Sequence, residues 1–270
     1  MQFRFHLLAL IMPLVAISCS TPGPPVGAGE EEQVYRIIGD ERERLEQEIE
    51  LQKHRAQIEI GRIGLLKWRE NSKNKLNEVA QKISIKAGEK QLPVNFVTAS
   101  ELKAEGIPED MVNAWTNGKA VYVTEGMVKF LKNEDEMAIL VGHELAHAYK
   151  GHILQKLLKS AVITGAGVAT EVASPGSGFG TFALLSGATI VFDRNQEREA
   201  DFFGIVYANS AGFDVDVAPH FWKKFSIVIG DTNAIPFATT HPASAERMIR
   251  AQKLVDSLKG REMQPLGPVF

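Results

Sequence analysis

Residues 143–147 read His-Glu-Leu-Ala-His. On an α-helix, positions i and i+4 share a face, so His143 and His147 can grip one metal ion between them. Glu144 follows the first histidine directly, where its carboxylate can polarise a metal-held water. Such a trio suits hydrolysis. A metal ion lowers the pKa of its bound water from about 16 to about 7, and a neighbouring carboxylate accepts the proton. As general base, Glu144 would then pass that proton to the leaving group.

The flanking residues decide whether the trio is buried. Asn133 and the run Glu134-Asp135-Glu136 supply a cap and an acidic first turn. Met137 to Val141, then Leu145, Ala146 and Ala148, make the helix apolar around its circumference, so it belongs in a core. Buried histidines and a buried glutamate need partners, and a metal provides them. The pattern predicts this helix from about Glu134 to Lys159.

Two imidazoles and a carboxylate suit zinc, so one Zn2+ per chain is expected. A catalytic zinc takes three protein ligands and keeps one position open. The third ligand must come from another segment, and 195–204 is the best source. Read as a helix, it places Glu197 and Asp201 on one face. Glu197 can reach the metal while Asp201 accepts a hydrogen bond from a ligand histidine's second nitrogen. Glu199, on a different face, is the alternative ligand. The loop Thr240-His241-Pro242 either aims His241 at the metal or merely opens a helix, because Pro242 suits a first turn. The negative tetrahedral intermediate needs a second electrophile, and His241 and Arg247 are both candidates. His152, five residues beyond His147 on an unbroken helix, points elsewhere and reads as structural. His6, His54 and His220 show no partner pattern.

The remaining elements position these residues. Val112–Thr116 and Lys119–Val123 flank Asn117-Gly118, a strong hairpin signal. If Asn113, Ala114 and Trp115 form an exposed edge above the metal helix, they can bind an extended peptide by backbone pairing. A strand at Leu92–Thr98 and a helix over 71–90 precede the hairpin. Before them a charged helix runs from Val34 to about Trp68, with Leu45, Ile49, Ala56, Ile60 and Ile63 on one stripe.

Residues 1–18 have the charged start, short apolar core and small-residue end of a signal peptide. Leu14 to Cys19 resembles a bacterial lipobox, with Ala16 where Leu is usual. On that reading Cys19, the single cysteine, is acylated, and residues 19–33, rich in Pro and Gly, form a lipidated tether. The alternative is an ordinary signal peptide cleaved nearby. Residues 160–192 form two apolar halves around Ser174–Gly178, each too short to span a bilayer. They read as a buried hairpin or lid, with a membrane-dipping element as the alternative. A net charge of −3 and 44% hydrophobic content give no nucleic-acid footprint.

Several of these segments occur in a recognisable order. Asn113-Ala114-Trp115, a Gly-bearing turn, Val121 to Gly126, Asn133 to Glu136 and Gly142 to His147 resemble the HtpX and CAAX prenyl endopeptidase family of zinc metallopeptidases. The likeness covers about residues 93–255 and includes a Glu-x-x-x-Asp helix, matched by Glu197 and Asp201. It is nearest the periplasmic lipoprotein (LoiP/BepA-like) branch. The resemblance implies an α+β fold: a mainly helical zincin-type domain, over 71–270 here, with a small sheet or hairpin over the metal helix. It implies His143, His147 and Glu197 as ligands, Glu144 as general base, and His241 approaching the metal's open position as a gate. The expected activity is hydrolysis of unfolded or misassembled envelope proteins by an enzyme lipid-anchored at the outer membrane and facing the periplasm. The alternative is a latent protease scaffold acting as a chaperone or assembly factor for outer-membrane proteins.

Overall fold

The charged N-terminal stretch is divided by a glycine. In the computed structural model, which describes residues 22–156, 192–230 and 245–260, helix α1 (Glu30–Ile63) ends at Gly64 and α2 (Leu65–Ala87) begins directly after it. Gly64 adopts φ 84°, ψ 147°, a conformation open to glycine but strained for any residue with a Cβ. The expected single helix to Trp68 is therefore broken, and Trp68 is a buried residue of α2. Val34, Leu45 and Ile49 sink into the protein, whereas Ile58 stays exposed.

A three-stranded sheet follows, made of β1 (Val94–Val97), β2 (Ala114–Thr116) and β3 (Val121–Thr124). The strand order is β1-β3-β2, with β1 parallel and β2 antiparallel to β3. Asn77 on α2 closes the outer side of β1, donating to the Val94 carbonyl at 2.9 Å and accepting from its N–H at 3.0 Å. The hairpin forms at the expected place, but its central residues are Gly118 and Lys119. Asn117 N–H donates to the Ala120 carbonyl, and Gly118 has φ 81°. Asn117 contributes through its side chain, accepting from the N–H groups of Lys119 and Ala120.

Between the strands lies α3 (Ala99–Ala104), entered through a Thr98–Glu101 capping box. After β3 come α4 (Glu125–Phe130) and α5 (Glu134–Tyr149). Asn133 caps α5 as expected, its side chain accepting from Glu136 N–H. Every residue from Glu136 to His147 is buried, so α5 is the central rod of the core. Then come α6 (Arg194–Ser210), α7 (Val217–Gly230) and α8 (Ala245–Leu258). Among the described residues helices dominate and the one sheet is small, an α+β arrangement with α5 packed beneath β2 and β3. No described helix is long and apolar enough to cross a membrane. The apolar segment expected over 160–192 lies, apart from Phe192, outside the described residues. So does Cys19.

One buried carboxylate joins the helices around the sheet. Glu125 accepts from Arg69 of α2 at 2.7 Å and from Lys129 of α4 at 2.8 Å, and also from the N–H of Ala99. Burial pushes its carboxyl upward, but Lys129, the Ala99 N–H and Arg69 together outweigh this and hold it below the ordinary carboxylate range. A depressed folded-state pKa stabilises the fold above the unfolded pKa, and that contribution disappears as pH falls through the folded value. Replacing Glu125 by Gln should therefore cost about 1–3 kcal/mol near neutral pH. Denaturant unfolding across pH 7 to 3 should show the gap between wild type and variant closing in acid. A gap that is constant with pH would contradict this role.

Candidate metal centre

The metal-site residues come from three helices, and two glycines decide how closely two of those helices meet. A methyl group on Gly142 of α5 would stand 2.7 Å from the Gly204 carbonyl oxygen. One on Gly204 of α6 would stand 2.7 Å from the backbone nitrogen of His143. Only glycine at both positions permits this backbone-to-backbone crossing. The crossing sets the start of α6, held by an Asp193–Gln196 capping box, against the buried rings of His143 and His147.

At that point three donor groups converge. His143 Nε2 and His147 Nε2 are 3.1 Å apart. Glu197 brings Oε1 to 3.3 Å from His147 Nε2 and Oε2 to 3.6 Å from His143 Nε2. One ligand atom from each lies within 4.8 Å of the others, and all three residues are buried. Two ligands at the usual zinc–nitrogen length of about 2.0–2.1 Å stand roughly 3.3 Å apart around a tetrahedral ion. The cluster is able to hold a metal ion.

Charge balance agrees. Glu144, Glu197 and Asp201 are buried at this point, and among the described residues Arg247 of α8 is the buried cation beside them. Three carboxylates against one guanidinium leave two negative charges in a low-dielectric pocket, which a divalent cation neutralises. Arg247 grips Asp201 with both arms, Nε–Oδ2 at 2.8 Å and Nη2–Oδ1 at 2.7 Å, while Nη1 lies 3.0 Å from Glu197 Oε2. Its guanidinium stacks on Trp222 of α7, 3.8 Å from the ring centroid, and Trp222 meets His143 edge-on at 5.4 Å. Asp201 Oδ1 is 2.9 Å from His143 Nδ1. Burial raises the Asp201 pKa, but Arg247 and His143 more than reverse this and hold it below its ordinary value. For Arg247 burial lowers the pKa, yet Asp201 and Glu197 push the net value up.

The structure thus brings together His143, Glu144, His147, Glu197, Asp201 and Arg247. Glu199, the alternative ligand, is turned away from the cluster. Its Oε2 lies 3.2 Å from His152 Nε2, as its place off the Glu197 face requires. His241 falls outside the described residues. Asn113, just before β2, and Ala114 and Trp115, its first two residues, are buried rather than exposed as expected, because β2 packs on α5. Sequence reasoning missed Trp222, which only the tertiary fold brings to Arg247. It also placed His152 wrongly. The metal helix stops at Tyr149 rather than continuing to Lys159, and Gly151 at φ 67° redirects the chain. The turn carries His152 back until its Nδ1 is 2.8 Å from His147 Nδ1.

Comparison with known proteins agrees with this geometry. The family model described as peptidase family M48 matches residues 70–255. The chain belongs to that family. Its relatives include mitochondrial metalloendopeptidase OMA1 of Schizosaccharomyces pombe, 30% identical over half of this chain and 41% of the relative. The beta-barrel assembly-enhancing protease of Yersinia pestis is 25% identical over 68% of this chain and 39% of the relative. The protein of that name in Escherichia coli is 26% identical over 58% and 35%. The chain thus spans less than half the length of these relatives, and the family match runs from within α2 to within α8.

The glycine crossing can be tested directly. Alanine is a better helix former than glycine by about 0.5–1 kcal/mol, so propensity alone predicts that Gly142→Ala and Gly204→Ala stabilise. Overpacking against backbone costs about 1–3 kcal/mol and should win. Each variant should unfold at lower denaturant and bind zinc at least tenfold more weakly. A variant as stable as wild type would show that the helices do not need this contact.

Proposed function

We propose that this protein is a zinc-dependent endopeptidase that hydrolyses peptide bonds of unfolded or misassembled envelope proteins. The observation that carries the reading is Glu144, a buried carboxylate next to His143 but outside the three-atom ligand cluster. A purely structural metal site has no use for such a group. Held by His143, His147 and Glu197, a metal ion would supply Lewis-acid polarisation of water and of the substrate carbonyl. Glu144 would serve as general base, accepting a proton at its carboxylate and delivering it to the leaving amine. Asp201 fixes the ring of His143 through Nδ1, and Arg247 fixes Asp201 and Glu197 together. Water is kept from the rear of the site by Trp222 and by Phe192, whose ring lies 4.0 Å from that of His147.

An extended substrate would pair with the backbone of β2 on the side away from β3. The Asn117–Ala120 and Asn113–Thr124 bonds to β3 mean, by antiparallel alternation, that the backbone groups of Ala114 and Thr116 face away from β3. Asn113 Oδ1 is buried without a hydrogen-bond partner among the described residues, an acceptor suited to a peptide N–H. Backbone pairing tolerates varied side chains, which favours unfolded segments over one sequence. The lipobox-like segment ending at Cys19 supports a lipid-anchored place in the bacterial envelope, at the outer membrane facing the periplasm. The name of the bacterial relatives, beta-barrel assembly-enhancing protease, supports a link to outer-membrane protein assembly.

The test uses purified protein assayed for bound zinc and for cleavage of casein. Glu144→Gln should keep its zinc and lose activity by at least about 10²-fold. Chelation of wild type should abolish cleavage, and zinc should restore it. Faster cleavage by His241→Ala would identify that residue as a gate, and slower cleavage would identify it as the second electrophile. If wild type carries zinc yet cleaves no unfolded protein, the peptidase reading fails and a chaperone on the same scaffold takes its place.

A further inference from the structure

The two ligand histidines are supported in different ways. His143 turns its Nδ1 to the Asp201 carboxylate at 2.9 Å. His147 turns its Nδ1 to a second imidazole, His152 Nδ1, at 2.8 Å. The far nitrogen of His152 lies 3.2 Å from Glu199 Oε2. His152 is fully buried, and the Phe192 ring flanks both imidazoles, 4.0 Å from His147 and 6.3 Å from His152.

With His147 a neutral ligand, hydrogen-bond logic allows one arrangement of protons along this chain. With His147 Nε2 turned to a metal, its proton sits on Nδ1 and is donated to His152 Nδ1. His152 must accept there, so its own proton sits on Nε2 and is donated to Glu199. An imidazole that accepts at one nitrogen and donates at the other is neutral and has a single tautomer. The link depends on the turn at Gly151, because an unbroken helix would carry residue 152 to a different face.

We propose that His152 is a positioning residue for His147, holding that ligand ring through a neutral imidazole relay that ends on Glu199. The inference rests on the reading of His147 as a metal ligand. Helix α6 then supplies the carboxylate ligand at Glu197, the outer partner of one histidine at Asp201 and the end of the other relay at Glu199. The two rings have unequal supports. A carboxylate pulls directly on the His143 proton, whereas His147 meets a neutral acceptor with the charge one residue further out.

The experiment measures zinc affinity of the full chain by competition with a chelator, beside the thermal midpoint of the metal-free protein and nitrogen-15 spectra of the histidine rings. His152→Ala should weaken zinc binding by about 10–100-fold, the usual effect of removing such a support. His152→Gln, which can accept with Oε1 and donate with Nε2, should recover most of that loss. Glu199→Ala should fall between wild type and His152→Ala. In wild type loaded with zinc, His152 should appear as the neutral Nε2–H tautomer, a readout that needs no variant to fold. Zinc affinity within twofold of wild type in a folded His152→Ala protein would overturn the proposal. So would a glutamine variant no better than alanine, or an Nδ1–H tautomer at His152. A wild type that binds no zinc would instead sink the metal-site reading itself.

Discussion

The metal centre depends on how closely α5 and α6 can approach. His143 and His147 lie on one rigid helix, but the third donor, Glu197, stands 50 residues after His147, on a helix that returns later in the chain. The carboxylate reaches two imidazole nitrogens at 3.3 and 3.6 Å because α5 and α6 touch through backbone at Gly142 and Gly204. A Cβ at either glycine would push the α6 face outward, and every group it carries toward the site would move with it. Interiors packed at crystal density transmit such displacements rather than absorbing them.

Electrostatics supplies the second constraint. Folding buries Glu144, Glu197 and Asp201 in one place, which no globular core tolerates without compensation. Arg247 meets part of the demand, pairing with two of the three carboxylates and stacking on Trp222. Among the described residues two negative charges remain, which a bound divalent cation would neutralise. Lys224 plays a comparable part nearer the start of α5, where it is fully buried and pairs with Glu136 at 2.7 Å. That pair ties α7 to the first turn of the metal helix.

Much of this was legible in the sequence because it is local. The i, i+4 histidine pair, the Asn133 cap, the Glu197–Asp201 face and the hairpin all follow from short-range periodicity and turn chemistry. What stayed hidden depends on interruptions and on distant partners. Gly64 breaks one long charged pattern into two helices, and Gly151 ends the metal helix early, so extrapolating its periodicity sent His152 the wrong way. Trp222 and Lys224 carry no local mark, since their roles exist only once α7 packs on α5. A usable signal was present in Gly142 and Gly204. Each stands inside a helix, where glycine costs about 0.5–1 kcal/mol relative to alanine, and that cost is recovered by the close crossing.

The most direct test of the account is X-ray absorption at the zinc edge of the zinc-loaded protein, compared with Glu197→Ala. Wild type should show two imidazole nitrogens at about 2.0–2.1 Å together with oxygen ligands, and the variant should keep both imidazoles while losing the carboxylate. A first shell lacking either imidazole, or one unchanged by removing Glu197, would contradict the claim that the α5–α6 crossing builds the metal site.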